Sequence, residues 1–274
     1  MAAAALPFAG FAASVSAAAA EPANAADRWR GLKIGVASYT FRKFSVDDTI
    51  KGIRRAGLSY VSIKDFHLPL KSTPEERRTV AKKFRDAGIT PLSCGVISMS
   101  NDEANIRQAF EYAKDAGIPT IVCAPAVESM AILDKMVKEY NIKLAIHNHG
   151  PGDNKYPTPY DAMKVIEEYD ERIGLCIDVG HTARAKTDPA KAILDCRARL
   201  HDVHLKDINA AEAKGSCVES GRGVLDLKAI MRALLDIKFA GLAGFEYEKD
   251  ADDPVPGLAE SAGYTRGLLV GMTA

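Results

Sequence analysis

Four short apolar runs in the second half of the chain each end in residues that can bind a metal or move a proton. Residues 144–150 read Leu-Ala-Ile-His-Asn-His-Gly and 173–181 read Ile-Gly-Leu-Cys-Ile-Asp-Val-Gly-His. Residues 200–207 read Leu-His-Asp-Val-His-Leu-Lys-Asp, and 242–248 read Leu-Ala-Gly-Phe-Glu-Tyr-Glu. Side chains of a strand alternate between its two faces. His147 and His149 therefore share a face with Ala145, Asp178 shares one with Cys176, and Asp202, His204 and Lys206 lie together. Glu246 and Glu248 fall on the face of Gly244, while Ile146, Leu205, Phe245 and Tyr247 take the opposite side. In neighbouring strands, His147, Asp178, His204 and Glu246 would stand at similar depth at one end. Two imidazoles and two carboxylates suit one divalent ion such as Mn, Zn, Co or Fe; Mg is less favoured because it prefers more oxygen donors.

Other residues at the ends of apolar runs extend this set. All six histidines (His67, His147, His149, His181, His201 and His204) are read as lying at or just past a strand end. Each alone is equally well a hydrogen-bonded structural residue; the set points to a metal or catalytic cluster. Lys206 is placed inward, where it can hold a substrate oxygen or, if its pKa is lowered, exchange a proton. Lys64 ends a run on the same face as Ser62, with a surface lysine as the plain alternative. Tyr39 closes the first run, and Asp207 is placed to orient a neighbour. Arg222, between Gly221 and Gly223, is within reach of a substrate, although Gly-x-Gly by itself signals only a turn before Asp226 caps a helix.

The elements that must hold these residues repeat with even spacing. Strands are expected at 33–41, 60–64, 90–96, 120–123, 143–147, 174–178, 203–206 and 241–247. Helices are expected between them, opened by Ser45, Thr73-Pro74, Thr158-Pro159 and Asp188-Pro189 and closed by Ala-Gly phrases at 56–57, 87–88 and 116–117. A last helix is expected over 257–272. Eight strand–helix alternations in one α/β domain predict a single (β/α)8 TIM barrel over 27–274, with the chemistry at the C-terminal strand ends. An open doubly wound sheet would want a Gly-x-Gly-x-x-Gly turn after the first strand, and none is present.

Composition narrows the partners. The 274 residues carry 36 Lys plus Arg against 36 Asp plus Glu, so no basic excess points to nucleic acid and no charge block to a lipid surface. The five cysteines form no Cys-x-x-Cys pair and are read as small buried hydrophobes. Residues 1–26 are mostly alanine and fit the apolar core and small-x-small end of a secretory signal remnant, or else a disordered tail. Export to the periplasm or beyond is the expectation on the first reading and a cytoplasmic protein on the second. Stable membrane insertion is not expected, and the oligomeric state stays open.

Taken together, Ile-Asp-Val-Gly-His (177–181), Val-His-Leu-Lys-Asp (203–207), Gly-Arg-Gly-Val-Leu-Asp (221–226) and Phe-Glu-Tyr-Glu (245–248) resemble the xylose isomerase-like TIM barrels, also described as sugar phosphate isomerases/epimerases. The resemblance spans about residues 33–272. It implies one divalent metal held by Glu, Asp, His and Glu from strands five to eight. Asp178, His204 and Glu246 match three of these, and His181 matches the histidine that contacts substrate. His147 stands where the sugar epimerases carry the first Glu, which with the strand-eight Glu forms their catalytic pair.

The implied activity is isomerisation or epimerisation of a small sugar by proton abstraction beside a metal-polarised carbonyl. Glu246, Glu248, Lys206 or His149 would move the proton, and Tyr39, Lys64, His67, His181 and Arg222 would contact the sugar. The missing carboxylate counts against that two-base mechanism, and export, which disfavours a phosphorylated substrate, opens a second reading: a lyase or hydratase/hydrolase in which the same proton abstraction ends in elimination from, or addition of water to, a keto-glycoside in the cell envelope. A non-catalytic sugar-binding barrel is a third reading of another class. An inward Lys206 beside a second carboxylate, Glu248, argues against it.

Overall fold

Eight parallel strands close into a barrel in the order β1-β10-β7-β6-β5-β4-β3-β2, as the alternation predicts. A computed structural model describes Met1 and residues 27–272. Apart from Met1, the alanine-rich segment expected to be a signal remnant or tail lies outside the described residues. The barrel strands are β1 (Lys33–Ala37), β2 (Tyr60–Ile63), β3 (Thr90–Met99), β4 (Thr120–Pro125), β5 (Lys143–His147), β6 (Ile173–Asp178), β7 (Leu200–Leu205) and β10 (Leu242–Phe245). A two-residue ribbon, β8 (Asp207–Ile208) and β9 (Cys217–Val218), sits in the connection after β7. Helices α1 (Val46–Arg55), α2 (Pro74–Asp86), α3 (Glu103–Ala116), α4 (Met130–Tyr140), α5 (Pro159–Ile166), α6 (Val179–Arg184), α7 (Pro189–Asp195), α8 (Leu227–Asp236) and α9 (Val255–Gly271) make the outer layer. Among the described residues no helix is long and apolar enough to cross a membrane.

The helices begin and end for the reasons legible in the chain. Ser45 accepts the Asp48 N–H, and Thr73 and Thr158 each form a reciprocal capping box, with Glu76 and Asp161 respectively. The Ala-Gly endings work because Gly57, Gly88 and Gly117 take positive φ (73°, 76° and 63°), where a side chain would be strained. Between strands and helices lies one continuous apolar core. Ile34, Val36, Ile121, Leu144, Ile146, Ile177 and Val203 are nearly or fully removed from water in it, each such burial contributing about 1.5–3 kcal/mol. Val122, Ala145 and Cys176 form a separate buried cluster, the small inward residues that alternation assigns to the barrel interior. All five cysteines are buried and unpaired, as expected.

Three local departures shape the site. β1 stops at Ala37, and Ser38–Phe41 winds into a 3-10 turn, so Tyr39 reaches over the barrel mouth. β10 stops at Phe245; the Glu246 N–H continues the ladder to the Leu205 carbonyl (2.9 Å), and the Tyr247 N–H turns away to Thr40 Oγ1 (3.0 Å). Glu246 and Glu248 thus sit just past the strand, on its open end. The short α6 was not expected; it starts because Asp178 Oδ1 accepts the His181 N–H at 2.7 Å.

The chain after β7 folds around Asp207, which is almost wholly buried. Its carboxylate accepts the N–H groups of Ile208 and Leu225 on Oδ1 (2.9 and 3.3 Å) and of Gly221 and Gly223 on Oδ2 (2.9 and 3.0 Å). The turn at 221–223 is therefore a cradle for Asp207, and a Cβ on Gly223 would collide with that carboxylate. Replacing Asp207 with Ala leaves four backbone donors without their acceptor. Urea unfolding should show a loss of roughly 3 kcal/mol or more.

Candidate metal centre and active-site cavity

The register of the parallel strands brings the chemistry together. Asp178 on β6 lies beside His204 on β7, and His204 beside Gly244 on β10, two residues before Glu246. His147 ends β5 next to Cys176. The donor atoms of His147, Asp178, His204 and Glu246 all lie within 4.8 Å of one another, and all four residues are buried. His147 Nε2 faces His204 Nδ1 at 2.9 Å and Asp178 Oδ2 at 3.6 Å; Glu246 Oε2 lies 3.3 Å from His204 Nδ1.

Charge is packed tightly around these donors. Lys206 Nζ is 3.2 Å from Asp178 Oδ2, 3.1 Å from Glu246 Oε2 and 2.7 Å from Glu248 Oε1, with its side chain fully buried. Lys64 Nζ pairs with Glu246 Oε1 at 3.0 Å. Burial works against the Asp178 carboxylate, but Lys206, His181 and His147 outweigh it and hold the group well below the usual range. Glu246 is likewise held low, burial being overcome by His204, Lys64 and Lys206. Burial also works against the Lys206 ammonium, and Asp178, Glu246 and Glu248 reverse that effect, raising its pKa well above normal. The condition for Lys206 to act as a neutral base is thus not met; it serves as a fixed positive charge. His147 and His181 are pushed down, chiefly by burial, so both present neutral imidazoles.

A divalent cation fits these residues on three observations. His147 Nε2 and His204 Nδ1 point at each other, where two lone pairs can converge on one ion. Asp178 Oδ2 is buried without a well-directed hydrogen bond, although Lys206 Nζ lies nearby. Three carboxylates, Asp178, Glu246 and Glu248, also converge here with Lys64 and Lys206 as their permanent cations. The donor set, two imidazoles and two carboxylates, is that of Mn, Fe, Co or Zn sites.

Above the donors opens a cavity of about 300 Å³, lined by Tyr39, Lys64, Phe66, His149, His181 and Glu248 among others. Of the residues expected to serve the site, the structure brings together Tyr39, Lys64, His147, His149, Asp178, His181, His204, Lys206, Glu246 and Glu248. It separates three others. His67, expected to contact substrate, is a buried bolt. Its Nδ1 meets Ser38 Oγ (2.9 Å), and its Nε2 meets Thr49 Oγ1 (2.8 Å) and the Phe41 carbonyl (3.1 Å), so no ring nitrogen is left for a ligand. Arg222, also expected to contact substrate, points into solvent and pairs with Glu260 through two bonds of 2.6 and 2.7 Å. His201 lies at the opposite, N-terminal end of β7, its Nε2 donating to the Glu171 carbonyl (2.9 Å), with its pKa lowered to about 4 by burial and then Lys143.

Three residues of the site were not foreseen. Asn148 is buried between two faces: its Nδ2 donates to Thr182 Oγ1 (3.1 Å) and its Oδ1 accepts the Asp178 N–H (3.1 Å), clamping the end of β5 to that of β6. Its position between two histidines was the available signal. Asp153 lies 3.3 Å from His149 Nδ1 and is itself fixed by the N–H groups of Lys155 (2.7 Å) and Tyr156 (3.2 Å). Phe66 stands 56% exposed at the cavity mouth, edge-on to Tyr39 at 5.7 Å.

Comparison with known proteins shows the family and the fold. A profile of the xylose isomerase-like TIM barrel family matches residues 50–268. A mannonate dehydratase of Oceanobacillus iheyensis is 26% identical over 182 residues, 62% of this chain and 43% of that protein, so the match spans less than half of the relative's length. The 3-keto-D-glucoside 4-epimerase of E. coli superposes with a TM-score of 0.71 at 18% identity, covering 86% of this chain and 99% of that one. An L-ribulose 3-epimerase gives 0.69 at 19% identity, covering 87% and 95%. At these identities the two structures share the fold with this chain.

Two outcomes follow from the geometry. Titrated with Mn²⁺ after chelation, the protein should bind one ion, and His204→Ala should weaken that binding at least a hundredfold while Arg222→Ala leaves it unchanged. Asn148→Ala should lower stability by about 1–3 kcal/mol and weaken Mn²⁺ binding about tenfold, read by denaturation and calorimetry.

Proposed function

The chain belongs to the family of xylose isomerase-like TIM barrels, and on that premise we propose a divalent-metal-dependent enzyme that removes the proton beside a carbonyl of a small sugar or sugar derivative, as a sugar isomerase or epimerase does. One observation carries the reading: four buried donors converge at the floor of a cavity whose walls hold proton-handling groups. An ion held by His147, Asp178, His204 and Glu246 would supply Lewis-acid polarisation of the carbonyl. The remaining work falls to side chains.

His149 is the proton acceptor in this reading. Asp153 holds its Nδ1 side, which leaves Nε2 to take the proton, and a base oriented by a third group is the arrangement that general-base catalysis uses. Glu248 is the second proton-handling group. It follows β10, separated from the β5 wall by β6 and β7, so the two groups flank the donors. Lys206, locked as a cation, positions Glu248 and adds positive charge where oxyanion character develops. Tyr39 and Phe66 offer ring faces to the apolar side of a sugar.

A second ending of the same reaction is favoured by His147. With an imidazole there, both Glu246 and Glu248 come from one wall, and no carboxylate ends β5. Proton abstraction followed by loss of water or of a leaving group needs no second carboxylate opposite the first. Similarity to a mannonate dehydratase supports that ending.

The test is solvent exchange. Mn²⁺-loaded protein incubated with keto-hexoses and their glycosides in heavy water should place deuterium beside the carbonyl, read by NMR. An epimer or an unsaturated product then distinguishes the two endings. His149→Asn should slow exchange by about 10²–10⁴-fold with metal content unchanged. Full metal occupancy without exchange or product from any keto sugar would leave only a binding protein.

A further inference from the structure

The polar cavity has an apolar neighbour. Between the segment after β2 and the end of β3 lies a second cavity of about 290 Å³, lined mainly by Leu68, Leu70, Gly95, Val96, Ile97 and Tyr112, with Asp65 and Ser98 as its polar members. The two cavities share Asp65 and Val96 as lining residues, so they adjoin across one short wall. The Tyr112 hydroxyl donates to the Leu68 carbonyl at 2.9 Å, so Tyr112 offers its neighbour cavity only a ring. Leu68 and Tyr112 are buried, whereas Leu70, Val96 and Ile97 are only half-buried on the cavity side. Phe66, one residue past the shared Asp65, leaves a large ring in water at the mouth of the polar cavity. Ligand sites run to roughly 300–1,000 Å³, and the polar cavity alone stands at the lower limit of that range.

We propose that the apolar cavity is a subsite for an apolar aryl or alkyl substituent on the sugar whose ring sits beside His149 and Glu248. The substrate is then a glycoside with an apolar aglycone. This rests on the sugar-carbonyl reading above and extends it to the substrate class. The division of labour is physical. The polar chamber recognises hydroxyl groups and the carbonyl through charged and imidazole groups. The second chamber is mostly apolar, its polar side chains being Asp65 and Ser98, and its Leu, Val, Ile and Tyr walls gain from every apolar atom withdrawn from water. An unsubstituted monosaccharide would leave that chamber to solvent.

The experiment compares the methyl and phenyl glycosides of 3-keto-glucose binding to the Mn²⁺-loaded protein, with Kd read by calorimetry. The phenyl glycoside should bind about tenfold tighter or more, the gain expected from burying one aromatic ring. Leu70→Gln and Ile97→Gln, each checked for an unchanged thermal midpoint, should remove most of that gain while keeping the methyl glycoside within about twofold. Equal affinity of the two glycosides in the parent protein overturns the subsite and leaves the sugar reading standing. A phenyl gain untouched by both substitutions overturns the assignment to this cavity. Failure of both glycosides to bind or exchange overturns the subsite together with the sugar reading.

Discussion

Charge neutrality in a nearly waterless space is the constraint on which the open end of this barrel depends. Asp178, Glu246 and Glu248 face Lys64 and Lys206 within ordinary ion-pair distance. Carboxylates outnumber ammonium groups, and the adjacent imidazoles of His147 and His181 are held neutral by burial. Removing charges from water is costly unless each finds partners, so the surroundings are built to supply them. Asn148 ties two strand ends together, Ser38 accepts the Lys64 N–H at 2.8 Å, and Asp207 gathers four backbone donors just beyond Lys206. Carboxylates in excess of the permanent cations, set among imidazole nitrogens, are what a divalent cation would bind.

The fold serves this cluster by keeping it rigid. His147, Asp178 and His204 sit on the last residues of strands whose other faces are packed against helices, Glu246 lies just past the end of β10, and the parallel register sets the relative height of Asp178 and His204. Proton-handling groups that must approach a substrate lie one or two residues further on, at His149 and Glu248, where exposure rises. Fixed floor and accessible wall thus differ by a step of two residues along the chain, from His147 to His149 and from Glu246 to Glu248.

Strand periodicity made much of this legible beforehand. The barrel, the inward faces and the convergence of His147, Asp178, His204 and Glu246 all follow from a period of two and from eight repeats, because burial enforces that period. The misplacements share one physical origin. His67 and Arg222 lie beyond their strands, where side-chain direction depends on local turns; a 3-10 turn wraps His67 in acceptors, and the cradle around Asp207 turns Arg222 outward. His201 stands at the start of β7, which begins at Leu200 and not, as expected, at Val203. Asn148, Asp153 and Phe66 carried no periodic signal, since each lies past the end of its strand, where local contacts and not alternation set its direction.

Asp178 divides its two oxygens between unlike duties: Oδ1 caps α6 through the His181 N–H, and Oδ2 alone faces the donors. A carboxylate committed in this way would offer an ion one free oxygen. With two imidazoles supplying the nitrogen half of the set, the coordination number available from the protein stays small and the donors stay only moderately hard. Calcium, which wants six to eight oxygens, would thereby be disfavoured at such a site without any clash or repulsive charge. On the metal-dependent reading, ion selectivity would be a by-product of how a helix begins.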